Sequence, residues 1–472
     1  MHMRTIQSAV LACTTLQLAD AAVIARAKSS VETCAGSSFN ENGNWFCKAV
    51  GQITYSHFAG SAGHYDQVVG MDTSTGQCSF GQKDYSGPLA PFNEPMSLHF
   101  RGPIRLKQLA VYMPKGSTKR EEAQVEADVA PRVSEMPVAD PELLRNKKRD
   151  HPTIWVTATI NGQVVSWIND YWGPEVTPSP APAKPSPSVQ KAPAQATSAP
   201  CPEPTAASGN GGGAGGTTGT TGTTGTAGTA GTGDHVRVAY YNAPSQQSSG
   251  LMFLGNYGGT QGSGRWTSAF GNTLSYINAQ GTDGAASSTT LADTTVPSGH
   301  EFSVFMDQPC DDSCGFIQPG SVAYKGFGGA DKAFLFEFSM PHESGATGAQ
   351  ADMPALWMLN ARIPYTGQYS PCSCWKSGCG EFDIFEVLAP GDNKCKSTLH
   401  SVYNGGDSNY FSRPVDGTIK LAVVFDSASA TVSAKVLDSA TQFGDHLTAA
   451  NLASLMGDGG LDGMGSSFFQ LG

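Results

Sequence analysis

Short stretches of alternating apolar and polar residues recur in two parts of the chain, on either side of a tract with almost nothing apolar. In the first part, residues 52–58, 97–100 and 104–112 carry the two-residue period of half-buried strands. Residues 154–168 read as a hairpin turning at Asn161-Gly162, a dipeptide suited to a tight two-residue turn. In the second part, 236–241, 333–340, 355–359, 382–388, 398–403, 419–425 and 431–437 read as strands set apart by Gly, Pro, Asp and Asn. Only 445–456 has a helical pattern. Many short strands with turn residues between them predict an all-β chain: a C-terminal β-jelly-roll sandwich over 235–472 and a smaller N-terminal β domain over 31–173.

The tract between them, 174–234, is Pro-rich and then a Gly/Thr near-repeat. It has too few apolar residues to bury and so cannot offset its own ordering entropy. It is expected to be a disordered linker, stiff at first and then flexible. Within the first domain, 115–150 is dense in charge and is expected to be a disordered insert; it holds Lys119-Arg120 and Lys148-Arg149, which suit dibasic processing.

Charge and cysteine place the chain in a compartment. Lys and Arg total 29 against 40 Asp and Glu, a net charge of −11, which excludes nucleic acid as the main partner. Residues 1–21 read as a signal peptide: Arg4, a short apolar run, then Ala19-Asp20-Ala21. The run is too short to span a bilayer, and no membrane anchor is evident. A secreted protein, extracellular or in a cell wall and monomeric, is expected. Of 11 cysteines, Cys13 falls in the leader. The rest are Cys34, Cys47, Cys78, Cys201, Cys310, Cys314, Cys372, Cys374, Cys379 and Cys395, an even number that suits disulfides in an oxidising compartment. Connectivity is open. The last six suffice for three bridges, and Cys201 is the available fourth for the N-terminal three. Secretion favours bridges over a metal cluster at Cys372, Cys374, Cys379 and Cys395, and neither a metal nor a cofactor is expected.

The chemistry concentrates in Glu381-Phe382-Asp383-Ile384-Phe385-Glu386. Strand alternation puts Glu381 and Asp383 on one face, but it would also send Glu386 into the core, where a charge is costly. A one-residue bulge near Ile384-Phe385 resolves the conflict and gathers three carboxylates on one face. Two carboxyl groups about 5–5.5 Å apart suit retaining glycoside hydrolysis. Asp383 between them would help hold the two pKa values apart.

Glu-x-Asp-x-x-Glu on a strand resembles the signature of glycoside hydrolase family 16, which includes laminarinases and other endo-β-1,3-glucanases. Pro354-Ala355-Leu356-Trp357 is similar to the Pro-Ala-x-Trp strand of those enzymes, and Thr398-Leu399-His400 to their histidine-bearing strand. The whole layout, with its leader, Cys-containing N-terminal part, Gly/Thr-rich linker and hydrolase-like C-terminal part, is similar to a fungal cell-wall family of glycosyl-hydrolase-like proteins. The resemblance implies activity on cell-wall β-1,3-glucan, with Glu381 as nucleophile, Asp383 as its helper and Glu386 as acid/base. It implies Trp357 as an aromatic platform for sugar and His400 near Glu386, with Trp375 a further sugar contact. The cysteine-rich stretch 372–379 departs from the family pattern. A wall transglycosylase, a non-catalytic glucan-binding protein, with Trp155, Trp167, Tyr171 and Trp172 as aromatic candidates, and a calcium-stabilised structural protein are the competing readings.

Overall fold

In the computed structural model, the described residues are 38–58, 60, 62–116, 154–160, 163–169, 234–457 and 464–471. The leader, most of the charged insert and the linker lie outside them, as do Cys34, Cys201, Tyr171, Trp172 and the side chains of Trp155 and Trp167. Among the described residues, no helix is long and apolar enough to cross a membrane.

The all-β reading holds. Two large sheets face each other. In one, the order runs Gln247–Ser249, His235–Asn242, Arg105–Pro114, Lys332–Ser339, Ile419–Asp426, Thr431–Leu437, Gln52–Ser56, Ser466–Gln470. In the other, it runs Gly284–Ala285, Ser275–Ile277, Leu251–Gly255, Glu301–Met306, Met96–Arg101, Ala355–Asn360, Glu381–Val387, Lys394–His400, Gly405–Gly406. Pairing is antiparallel except where Ser466–Gln470 runs parallel to Gln52–Ser56. The inner faces meet in one apolar core that includes Phe100, Phe302, Phe336, Phe382, Ile384, Phe385 and Leu421. Phe100 and Phe302 stack at 4.6 Å between ring centres.

The first sheet is apolar on both faces, which explains runs such as Ala333-Phe334-Leu335-Phe336. Phe334 and Phe336 face the core, while Ala333 and Leu335 face a second cluster with Phe443, Leu452 and Leu455. The helix Ala449–Met456 covers that outer face with Leu452 and Leu455, and Thr448 with Asn451 closes its start as a capping box. The helical pattern of 445–456 is shorter in the structure because His446–Leu447 pairs with the His235–Asn242 strand. The hairpin expected over 154–168 is present as Ile154–Ile160 paired with Gln163–Asn169.

The relation between the two β-rich parts differs from the expected pair of tethered domains. Met96–Arg101 lies between Glu301–Met306 and Ala355–Asn360, and Arg105–Pro114 lies between His235–Asn242 and Lys332–Ser339. The earlier strands fill interior places in sheets otherwise built by later ones. Pro114 is paired with His235, and Lys115 N donates to Asp234 O at 3.2 Å. The segment between them therefore leaves and returns at one hairpin tip. The composition break marked what cannot be buried, but not where its ends lie.

Candidate active site

The strand Glu381–Val387 bulges where the sequence conflict required it. Against Ala355–Asn360, Phe385 pairs with Leu356 and Asp383 with Trp357, leaving Ile384 as the extra residue. Against Lys394–His400, the three steps from Asp383 to Glu386 meet the two steps from Thr398 to Lys396. Phe382, Ile384 and Phe385 enter the core, while Glu381, Asp383 and Glu386 share the opposite face. The register extends this face into rows across the sheet. Glu301, Arg101, Ala355, Glu386 and Lys396 form one row, and Ser303, His99, Trp357, Asp383 and Thr398 the next.

Each carboxylate has its own partner. The Trp375 indole N–H donates to Glu381. His400, opposite Glu381 in the register, places Nε2 3.2 Å from Asp383 Oδ2. This corrects the expected position of His400 beside Glu386: Glu386 pairs with Lys396, four residues along the strand from His400. Glu386 instead lies 3.3 Å from Arg101 Nη2, and Arg101 Nη1 is 3.9 Å from Glu301. The Arg101 Nε donates to the Met353 carbonyl at 2.7 Å.

Burial raises Glu381 to about 8, and the Asp383 charge adds to this, while His400 and the Trp375 N–H oppose it. Burial and then the Glu386 charge also push Asp383 well above the usual carboxylate range, against Arg101. Three carboxyl groups on one desolvated face cannot all be charged cheaply, so Glu381 and Asp383 compete for a proton. Burial alone would lower Arg101, but Glu386 and Glu301 more than offset it and keep it charged. His99 is pushed down to about 3 by burial. As a neutral ring it sits between Ser97 Oγ at 2.8 Å and Ser303 Oγ at 2.9 Å, and stacks on Trp357 at 5.3 Å.

Trp357 does not offer an open platform. It is 4% exposed and packs with Tyr65, Leu359, Ile363, Cys374 and Cys379. The cover comes from a hairpin that the sequence reading missed, Gly63–Asp72 with Gln77–Tyr85. Tyr65 OH donates to Glu94 at 2.5 Å, and Cys78 is bonded to Cys372, which ties the hairpin to the loop before Glu381. Cys374–Cys379 closes that loop around Trp375, and Cys310 pairs with Cys314. Cys47 is disulfide-bonded as well. Cys395 is a buried free thiol, so the expectation of three bridges among the last six cysteines is corrected. Its strand alternates, and Cys395 points into the core among Val387 and Phe411.

Arg101, Glu301 and His99 were also missed, although the polar-apolar alternation of Ser97 to Arg101 and of Glu301 to Val304 is visible in the sequence. Glu381, Asp383 and His400 bring one donor atom each within 4.8 Å of one another, a spacing that a single cation could bridge.

Comparison with known proteins places these features in a family. Residues 233–455 match the model of cell wall protein YJL171C/Tos1, C-terminal, and 51–114 match its N-terminal counterpart. The chain is similar to a Saccharomyces cerevisiae protein named "probable circularly permuted 1,3-beta-glucanase TOS1", 40% identical over 403 residues, covering 83% of this chain and 87% of that protein. A Candida albicans protein of the same name is 39% identical over 447 residues, covering 88% and 91%. An Arthroderma benhamiae protein named "probable circularly permuted 1,3-beta-glucanase" is 38% identical over 436 residues, with the same coverage. No solved structure matches the chain. On this likeness over most of its length, the chain belongs to the YJL171C/Tos1 family of cell wall proteins.

Proposed function

We propose that this protein is a secreted retaining glycoside hydrolase that cleaves β-1,3-glucan during fungal cell-wall remodelling. The observation that carries the reading is the bulge at Ile384, which turns Glu381, Asp383 and Glu386 to one face and keeps the intervening apolar residues in the core. The names of the relatives support the substrate class. Their description as permuted fits a sandwich in which strands before the inserted segment occupy interior places.

Glu381 attacks the anomeric carbon as the bond to the leaving oxygen breaks, and Glu386 gives that oxygen its proton. Water then attacks the glycosyl–Glu381 bond, giving its proton to Glu386 and releasing Glu381. A proton held by Asp383 removes the charge that most opposes ionisation of Glu381 after burial itself. Trp375 holds the Glu381 carboxylate in place.

The test is release of reducing sugar from linear β-1,3-glucan by wild type and Glu381→Gln, with NMR of the first-formed product anomer. Wild-type release with β-anomer product, lost in Glu381→Gln, supports the reading. Equal release by both proteins, or an inverted first product, rejects it.

A further inference from the structure

One side chain on the carboxylate face is both fixed and open to solvent. Tyr369 is 68% exposed, yet its hydroxyl lies 2.7 Å from each oxygen of Glu301. Its loop is held at both ends: Gly367 N donates to Pro364 O, and Thr366 Oγ1 to Cys372 O at 2.7 Å, with Cys372 in turn bonded to Cys78. Glu301 starts the row that runs through Arg101 and Ala355 to Glu386. Three strand spacings separate Glu301 from Glu386, about 14 Å of sheet, a length that more than one sugar ring spans.

We propose that Tyr369, backed by Glu301 and Arg101, forms a sugar-binding subsite that stacks on a glucosyl residue to the Glu301 side of the cleaved bond. An aromatic ring already fixed by its hydroxyl loses little further freedom when a ligand covers it, so the contact is converted efficiently into affinity. The ligand is a neutral ring with an apolar C–H face and hydroxyls at its rim. The ring face meets Tyr369, and the hydroxyls meet the remaining acceptor capacity of Glu301. A charged sugar finds no free cation there, because Arg101 is already shared between Glu386 and Glu301.

This subsite rests on the glucan reading above, and one experiment separates the two. Calorimetry measures laminaribiose and laminarihexaose binding in the Glu381→Gln background, which leaves the ligand intact. Tyr369→Ala and Tyr369→Phe are then added to that background, with thermal melts to confirm folding. Tyr369→Ala is expected to weaken hexaose binding about tenfold, the scale of one lost aromatic contact. Tyr369→Phe keeps the ring and is expected to weaken it less than about threefold. Equal losses in both variants would assign the effect to the hydroxyl on Glu301 and overturn the subsite, as would no loss in either. If the Glu381→Gln protein with native Tyr369 binds neither oligosaccharide, the glucan reading itself fails.

Discussion

Excising the inserted segment is the sharpest test of how this chain is built. If the Arg105–Pro114 and His235–Asn242 strands are a hairpin whose tip has been opened, replacing 117–233 by an Asn-Gly turn leaves the strand pairings of the two large sheets in place. The magnitude follows from loop closure. Shortening roughly 120 residues to about four is five halvings at about 0.6 kcal/mol each, about 3 kcal/mol of stability gained. The close approach of Lys115 to Asp234 means that the short turn needs no movement of the strands. The assay is urea unfolding of the full and excised chains, followed by tryptophan fluorescence and far-UV circular dichroism. The excised protein is expected to fold with a higher midpoint and to lose only the strand signal of Ile154–Ile160 and Gln163–Asn169, which leave with the segment. Loss of the cooperative transition on excision would refute the hairpin reasoning, since two domains joined by a needed spacer would be forced into a clash.

Three further outcomes follow from the site. Trp375→Phe removes a hydrogen bond to a charged acceptor, worth about 1.5–3 kcal/mol; the acid limb of kcat/KM on β-1,3-glucan is expected to move up by about one pH unit or more, and a uniform loss at every pH would contradict it. Glu381 binds its proton more tightly when folded, up to about 8 against 4.5, so its contribution to stability is present below pH 4.5 and lost as pH rises through 8. Glu381→Gln is therefore expected to melt with wild type in acid and well above it at alkaline pH, by the order of a few kcal/mol; parallel melting curves across that window would exclude the shift. Cys78→Ser removes the covalent tie between the Gly63–Tyr85 hairpin and the loop before Glu381, leaving the Asp66–Ser377 hydrogen bonds, and is expected to cost about 2–4 kcal/mol, with greater quenching of Trp357 fluorescence by acrylamide; unchanged melting and quenching would show that the hairpin stays in place without its bridge.

What could be read in the sequence was local, and what could not was a pairing. The conflict between Glu386 and strand alternation was internal to six residues, so the bulge and the shared carboxylate face followed from the cost of burying a charge. The core strands followed for the same reason: Phe334-Leu335-Phe336 has nowhere to go but a sheet buried on both sides. Cys395 was misread: counting cysteines assigned it to a bridge, whereas its alternation with Lys394 and Lys396 points it into the apolar core as a free thiol. The hairpin over Trp357 was hidden because its strands are largely exposed and carry little apolar periodicity. Its anchor is a bond between Cys78 and Cys372, 294 residues apart, and spacing says nothing about such a pair.

The same distinction decides how the site itself is made. Its acids come from one strand, but the charge facing Glu386 comes from Arg101, on a strand that precedes the inserted segment. His99 and Ser97 come from that strand as well, and they fix the neutral ring on which Trp357 rests. A chain cut after the insertion would keep Glu381, Asp383 and Glu386 yet lose the cation that balances them, and it would leave Glu301–Met306 and Ala355–Asn360 without the strand between them. The part that looks like a hydrolase therefore shares both sheets with the part before the insertion, which supplies the Arg101 cation facing Glu386 and Glu301. On the glucanase reading proposed above, the acidic motif marks where the chemistry would lie, and the sheet register decides which residues stand around it.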